Sequence, residues 1–93
     1  MGIRGPKWLV LAALVLTTPD TPGVYELWAD EELLRVGVAP DKRHTLRAVL
    51  THELLEERGA ATHFRWEISF DPVARQRELV AELEGKSAGR GES

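Results

Sequence analysis

Pro22-Gly23-Val24-Tyr25-Glu26-Leu27-Trp28-Ala29-Asp30-Glu31-Glu32-Leu33-Leu34-Arg35-Val36-Gly37-Val38 is the stretch on which the fold turns. Residues 24–29 are rich in β-branched and aromatic side chains, which suit a pleated, half-buried surface. Asp30-Glu31-Glu32 is a short polar break, and residues 33–38 read as a second strand. Two short strands with so tight a connection predict an antiparallel hairpin.

Downstream, residues 40–44 are a polar loop, and from Thr45 the period becomes helical. Leu46, Val49, Leu50 and Leu54 fall at i, i+3, i+4 and i+8, the apolar stripe of an amphipathic helix, with Asp41 or Thr45 as its N-cap and Arg58-Gly59 as its stop. Residues 61–70 give the clearest strand, because Phe64, Trp66, Ile68 and Phe70 alternate with Arg65, Glu67 and Ser69. Asp71-Pro72 then opens a second helix, with Asp as N-cap and Pro at the first helical position, and Val73, Leu79, Val80 and Leu83 facing inward. Residues 85–93 are polar and Gly-rich and read as a disordered tail. The order is an apolar lead-in followed by β-β-α-β-α. That predicts an α+β domain over residues 1–84, a three-stranded sheet with flanking helices.

The lead-in is ambiguous by itself. Arg4 and Lys7 precede an apolar run from Trp8 to Leu16, which has the outline of an export signal. Pro6 and Trp8 open the run awkwardly, and turn chemistry with Pro19, Pro22 and Gly23 follows it instead of a small-residue cleavage site. A spanning helix needs about 20 residues. We therefore expect residues 1–18 to be retained and to pack on the sheet, in a cytoplasmic protein with no membrane contact; a small exported protein is the alternative.

Composition removes several chemistries. The chain of 93 residues has no cysteine, so disulfides, thiolate metal sites and a Cys nucleophile are excluded. Hydrophobic residues at 43% and charged residues at 29% are globular proportions. A net charge of -3 argues against a strongly basic nucleic-acid coat but leaves room for a local basic patch. His44 and His52 lie eight apart, not at the i, i+4 spacing of a helical metal pair, and His63 reads as solvated. Trp8, Trp28 and Trp66 are candidates for base stacking, but the alternation of Trp66 with Phe64 and Ile68 puts it in the core.

Pro22-Gly23-Val24-Tyr25, the hairpin turn, and Arg35-Val36-Gly37, with Gly37 twelve positions after Tyr25, resemble the paired signature of the GIY-YIG nuclease superfamily. The resemblance runs over residues 19–83 and implies that family's β-β-α-β-α core. It implies a metal-dependent phosphodiesterase acting on DNA. Tyr25 would position the attacking water. Glu78, on the helix after the third strand, would hold Mg²⁺ or Mn²⁺. Gly37 would let backbone approach the site. The family's second tyrosine is replaced by Arg35, and an arginine accepts no proton at neutral pH. Aligning Leu46 and Leu50 with the family's helix leucines leaves Val49 where its arginine sits, and Arg47 lies about 200° around the helix. Arg43, Arg47 and Lys42 are the candidates to face phosphate. Arg35, Lys42, Arg43 and Arg47 form the local basic excess, so DNA binding would be weak and salt-sensitive. The implied activity is weak or degenerate. The alternative is a non-catalytic binding module using the same cleft for nucleic acid or a protein partner. Either way, Tyr25 and Arg35 are expected to share one sheet face.

Overall fold

The apolar lead-in does not make a single element. In the computed structural model, which describes residues 7–56 and 59–92 with side chains through Glu84, Trp8–Leu9 is a two-residue strand (β1) and Ala12–Val15 a single helical turn (α1). Arg4, in the expected basic lead, and Arg58, the expected helix stop, lie outside the described residues.

The hairpin forms as Gly23–Ala29 (β2) and Glu32–Ala39 (β3), paired antiparallel from Gly23↔Ala39 to Ala29↔Glu32, with an irregularity between Leu27 and Trp28. Asp30 makes the turn at φ 53°, a left-handed conformation that aspartate tolerates. His63–Ile68 (β4) pairs antiparallel with the other edge of β2, and β1 pairs outside β4 through Trp8↔Phe64 and Leu9↔His63. The expectation of a three-stranded GIY-YIG-like β-β-α-β-α fold is thereby corrected. Among the described residues the sheet has four antiparallel strands in the order β1-β4-β2-β3, accompanied by three helices. A two-residue strand is too short to show alternation, and its partner lies at the far end of the chain, so no local signal announces it.

Helix Leu46–Leu50 (α2) covers one face. Thr45 caps it: its hydroxyl oxygen accepts from Ala48 N at 3.3 Å and donates to Asp20 Oδ1 at 2.6 Å. The N–H groups of Leu46 and Arg47, which have no partner within the helix, donate to the carbonyls of Thr21 and Pro19. The helix continues as a π-helical stretch, Thr51–Glu56. Leu46, Leu50 and Leu54 are all buried. Steps of four residues overshoot an α-turn by about 40°, and the wider turn takes up that drift so that the stripe stays on the sheet. It packs with Tyr25, Leu27, Ala39, Phe64 and Val15 of α1, and Val10 and Leu14 lie against this cluster.

The other face carries Pro72–Glu92 (α3), whose start is capped by Asp71 Oδ1 accepting from Ala74 N at 3.2 Å. This helix runs on past Gly85, where the tail was expected to begin. Leu79 packs against Val24 and Val36. Val73 and Leu83, expected inward, are exposed. Beside them the buried Glu26 accepts from Arg65 Nε and from Trp28 Nε1, while Lys7 Nζ lies 4.3 Å from the Trp28 ring centroid and donates to the Asp30 carbonyl. No helix among the described residues is long and apolar enough to cross a membrane.

Candidate functional site

Antiparallel pairing places Tyr25 opposite Gly37 and Leu27 opposite Arg35, so Tyr25 and Arg35 are diagonal neighbours on the face covered by α2. A Cβ at Gly37 would collide with the Tyr25 ring, which lies flat across the glycine backbone. Here the second-motif glycine accommodates the first-motif tyrosine.

The residue that joins the two motif positions comes from neither strand. Tyr25 Oη donates to Glu53 Oε1 at 2.7 Å, and Arg35 Nη1 lies 3.3 Å from the same oxygen. Tyr25 is buried, the Glu53 side chain is 17% exposed and that of Arg35 is 60% exposed. Burial first, then the hydrogen bond and charge of Glu53, push the Tyr25 phenol well above its ordinary value; Arg35 opposes this only in part. The hydroxyl is thus a protonated donor at every ordinary pH. Glu53 occupies the i+7 position of the stripe begun by Leu46, and that was the available signal. A carboxylate within a buried stripe needs donors, and a tyrosine on the facing strand supplies one.

Arg35 and Glu53 stand at the edge of an open groove of about 450 Å³. Its other walls are Leu27, Leu34, Leu54, His52 and residues 59–61. His52 Nδ1 lies 3.6 Å from Glu56 Oε1.

The remaining candidates do not converge here. Arg47 Nε donates to the Thr18 carbonyl at 2.9 Å, fastening the loop after α1. Lys42 and Arg43 sit in the exposed turn beyond β3, where Asp41 Oδ1 accepts from the backbone N–H groups of Arg43 and His44 and lies 3.0 Å from His44 Nδ1. Those contacts, with His44 foremost, hold the Asp41 carboxyl below its ordinary value. Glu78 is on α3, against the opposite sheet face; its side chain is 63% exposed and 3.9 Å from Arg75 Nη1. A cation is already beside its carboxylate, and the sheet separates it from Tyr25. Glu78 therefore does not fit a Mg²⁺ or Mn²⁺ ion serving the Tyr25 cleft. Among the described residues no group of three or more His, Asp or Glu side chains could hold a metal. No family model, no characterised protein and no solved structure matches the chain.

Proposed function

We propose that this chain is a divergent, non-catalytic relative of the GIY-YIG nucleases that works as a protein-binding module, its groove beside Arg35 and Glu53 receiving an apolar segment of the partner. One observation carries the reading: the Tyr25 hydroxyl is spent inside the core on Glu53, whose same oxygen faces Arg35. A phenol with a raised pKa that already donates to a carboxylate is not available to activate water.

The groove walls favour a protein segment over DNA. Leu27, Leu34 and Leu54 are apolar, and of the four cations of the local basic excess, Arg35 faces Glu53 and Arg47 holds a carbonyl. Lys42 and Arg43 alone would give weak binding that salt abolishes. A cytoplasmic setting goes with this reading, since Val10, Leu14 and Val15 are then working parts of the domain.

The test is supercoiled-plasmid nicking in Mg²⁺ or Mn²⁺, paired with binding of the apolar dye anilinonaphthalene sulfonate. We expect no cleavage above that of a Glu78→Ala control, and dye binding that Leu34→Glu removes. Cleavage by the wild type that Glu78→Ala abolishes would overturn the reading in favour of a metal-dependent nuclease.

A further inference from the structure

The sheet face covered by α3 holds an enclosure of its own, on the opposite side from the groove beside Arg35. A cavity of about 110 Å³ opens there, with Leu33, Leu79 and Leu83 as its apolar walls. At liquid density that is room for three or four waters, or for a ligand of about four heavy atoms.

Its polar wall is built around Glu26. Strand pairing sets this residue opposite Arg65, and its side chain is 5% exposed. Oε1 accepts both donors in reach, Arg65 Nε and Trp28 Nε1. Oε2 accepts from no group among the described residues. Since no fully buried side-chain oxygen among them lacks a partner, Oε2 is open to the cavity that Glu26 lines. A carboxylate oxygen so far removed from bulk water calls for a donor, most favourably a charged one. The neighbouring cation is already engaged on Oε1.

Charge and shape narrow what could supply that donor. Glu82 also lines the cavity, so two carboxylates meet one guanidinium and the lining carries a net negative charge. Lys7 lies 4.3 Å from the Trp28 ring centroid, but it is 3.8 Å from Glu31 and the two cancel. Three leucines offer nothing to a hydrated metal ion, and among the described residues no cluster could hold one. They suit an alkyl chain. We propose that the cavity binds a primary alkylammonium of about four heavy atoms, its ammonium donating to Glu26 Oε2 near the charge of Glu82 and its chain lying among Leu33, Leu79 and Leu83. A free monoamine and the end of a lysine side chain share this chemistry. The site stands apart from the groove and does not depend on the reading given to it.

Titration of the isotope-labelled chain with n-propylammonium chloride tests it, followed by nuclear magnetic resonance at the Trp28 indole N–H, which donates to Glu26 Oε1. A saturable shift with a millimolar dissociation constant is expected of so small a ligand, and sodium chloride at equal ionic strength should give none. The neutral isostere n-propanol should bind about tenfold more weakly or worse. Glu26→Gln keeps an acceptor for Arg65 and Trp28 but replaces Oε2 with an amide NH₂ group, and should abolish the shift. Glu82→Gln, at a half-exposed position of α3, should weaken binding about fivefold. Leu34→Glu, in the groove, should leave it unchanged. No saturable shift, equal affinity for n-propanol, or full affinity in Glu26→Gln would each overturn the proposal; where Glu26→Gln does not fold, full affinity in Glu82→Gln overturns it. Lysine blocked at both backbone ends separates the two sources. Binding equal to that of propylammonium supports the proposal with a partner's lysine as the ligand, and exclusion of the blocked lysine supports it with a free amine.

Discussion

Replacing Tyr25 with phenylalanine removes one oxygen and leaves the ring in place over Gly37, so the effect isolates the hydrogen bond to Glu53. No cavity larger than a hydroxyl is created. A hydrogen bond to a charged acceptor contributes about 1.5–3 kcal/mol. Glu53 keeps Arg35 at 3.3 Å and is 17% exposed, so its carboxylate is not stranded. The expected loss therefore sits at the lower limit, about 1.5 kcal/mol, or roughly 6–12 °C in melting temperature for a domain of this size. Urea unfolding followed by the fluorescence of the three tryptophans would report it as a lowered midpoint with an unchanged slope. A double-mutant cycle with Glu53→Ala should return a coupling of about 1 kcal/mol, since each side chain loses value without the other. Equal midpoints for wild type and Tyr25→Phe would refute the reasoning. A hydroxyl poised for chemistry can be removed without destabilising its protein; one that ties a strand to a helix cannot.

Tyr25 is the only tyrosine, so phenolate absorbance reads this side chain alone. Its folded pKa is raised, the unfolded chain releases the proton first, and stability should fall as pH rises above about 10; absorbance should appear together with unfolding, and reversible ionisation near 10 in folded protein would contradict the burial argument. Gly37→Ala should destabilise the fold by about 1–3 kcal/mol, because the new methyl group overlaps the Tyr25 ring and the sheet cannot open to admit it; a melting temperature equal to that of wild type would show that the ring can move aside. Glu78→Ala should leave stability within about 0.5 kcal/mol and leave dye binding in the groove unchanged; loss of dye binding would connect the two faces in a way their separation forbids.

Much of the architecture was legible because its signals are local. The strand around Phe64, the hairpin around Asp30 and the Leu46–Leu50–Leu54 stripe each declare themselves within a few residues, and each forms, but the strand ends at Ile68, and of the core face expected over Phe64, Trp66, Ile68 and Phe70 only Phe64 is fully buried, with Ile68 and Phe70 exposed. Thr45, one of two cap candidates, is the one used, because its hydroxyl also reaches Asp20. What local pattern does not carry is pairing at a distance. β1 exists because Trp8 and Leu9 meet Phe64 and His63, and nothing in an unbroken apolar run distinguishes that outcome from a buried helix. The same limit applies to α3. Leu79 alone makes the buried contact with Val24 and Val36, while Val73 and Leu83 belong to an apolar stripe longer than the surface that receives it. For the site, the hairpin fixed the mutual placement of Tyr25, Gly37 and Arg35. The assignment of Glu78 came from the family resemblance, with no pairing to check it.

Arg35 and Glu53 are best understood together. A carboxylate carried into the stripe of a packed helix must find compensation or lose its charge. Tyr25 provides a donor but no charge, so a second tyrosine at position 35 would leave Glu53 ionised in an apolar setting with only neutral partners. An arginine there supplies the cation and, being 60% exposed, keeps most of its own hydration while doing so. Arg35 is thus the residue that makes Glu53 tolerable, and Glu53 in turn withdraws Tyr25 from solvent. Each of the three accounts for the state of the other two, which makes this cluster a settled structural unit; Arg35→Tyr would leave the phenol of Tyr25 bound where it is.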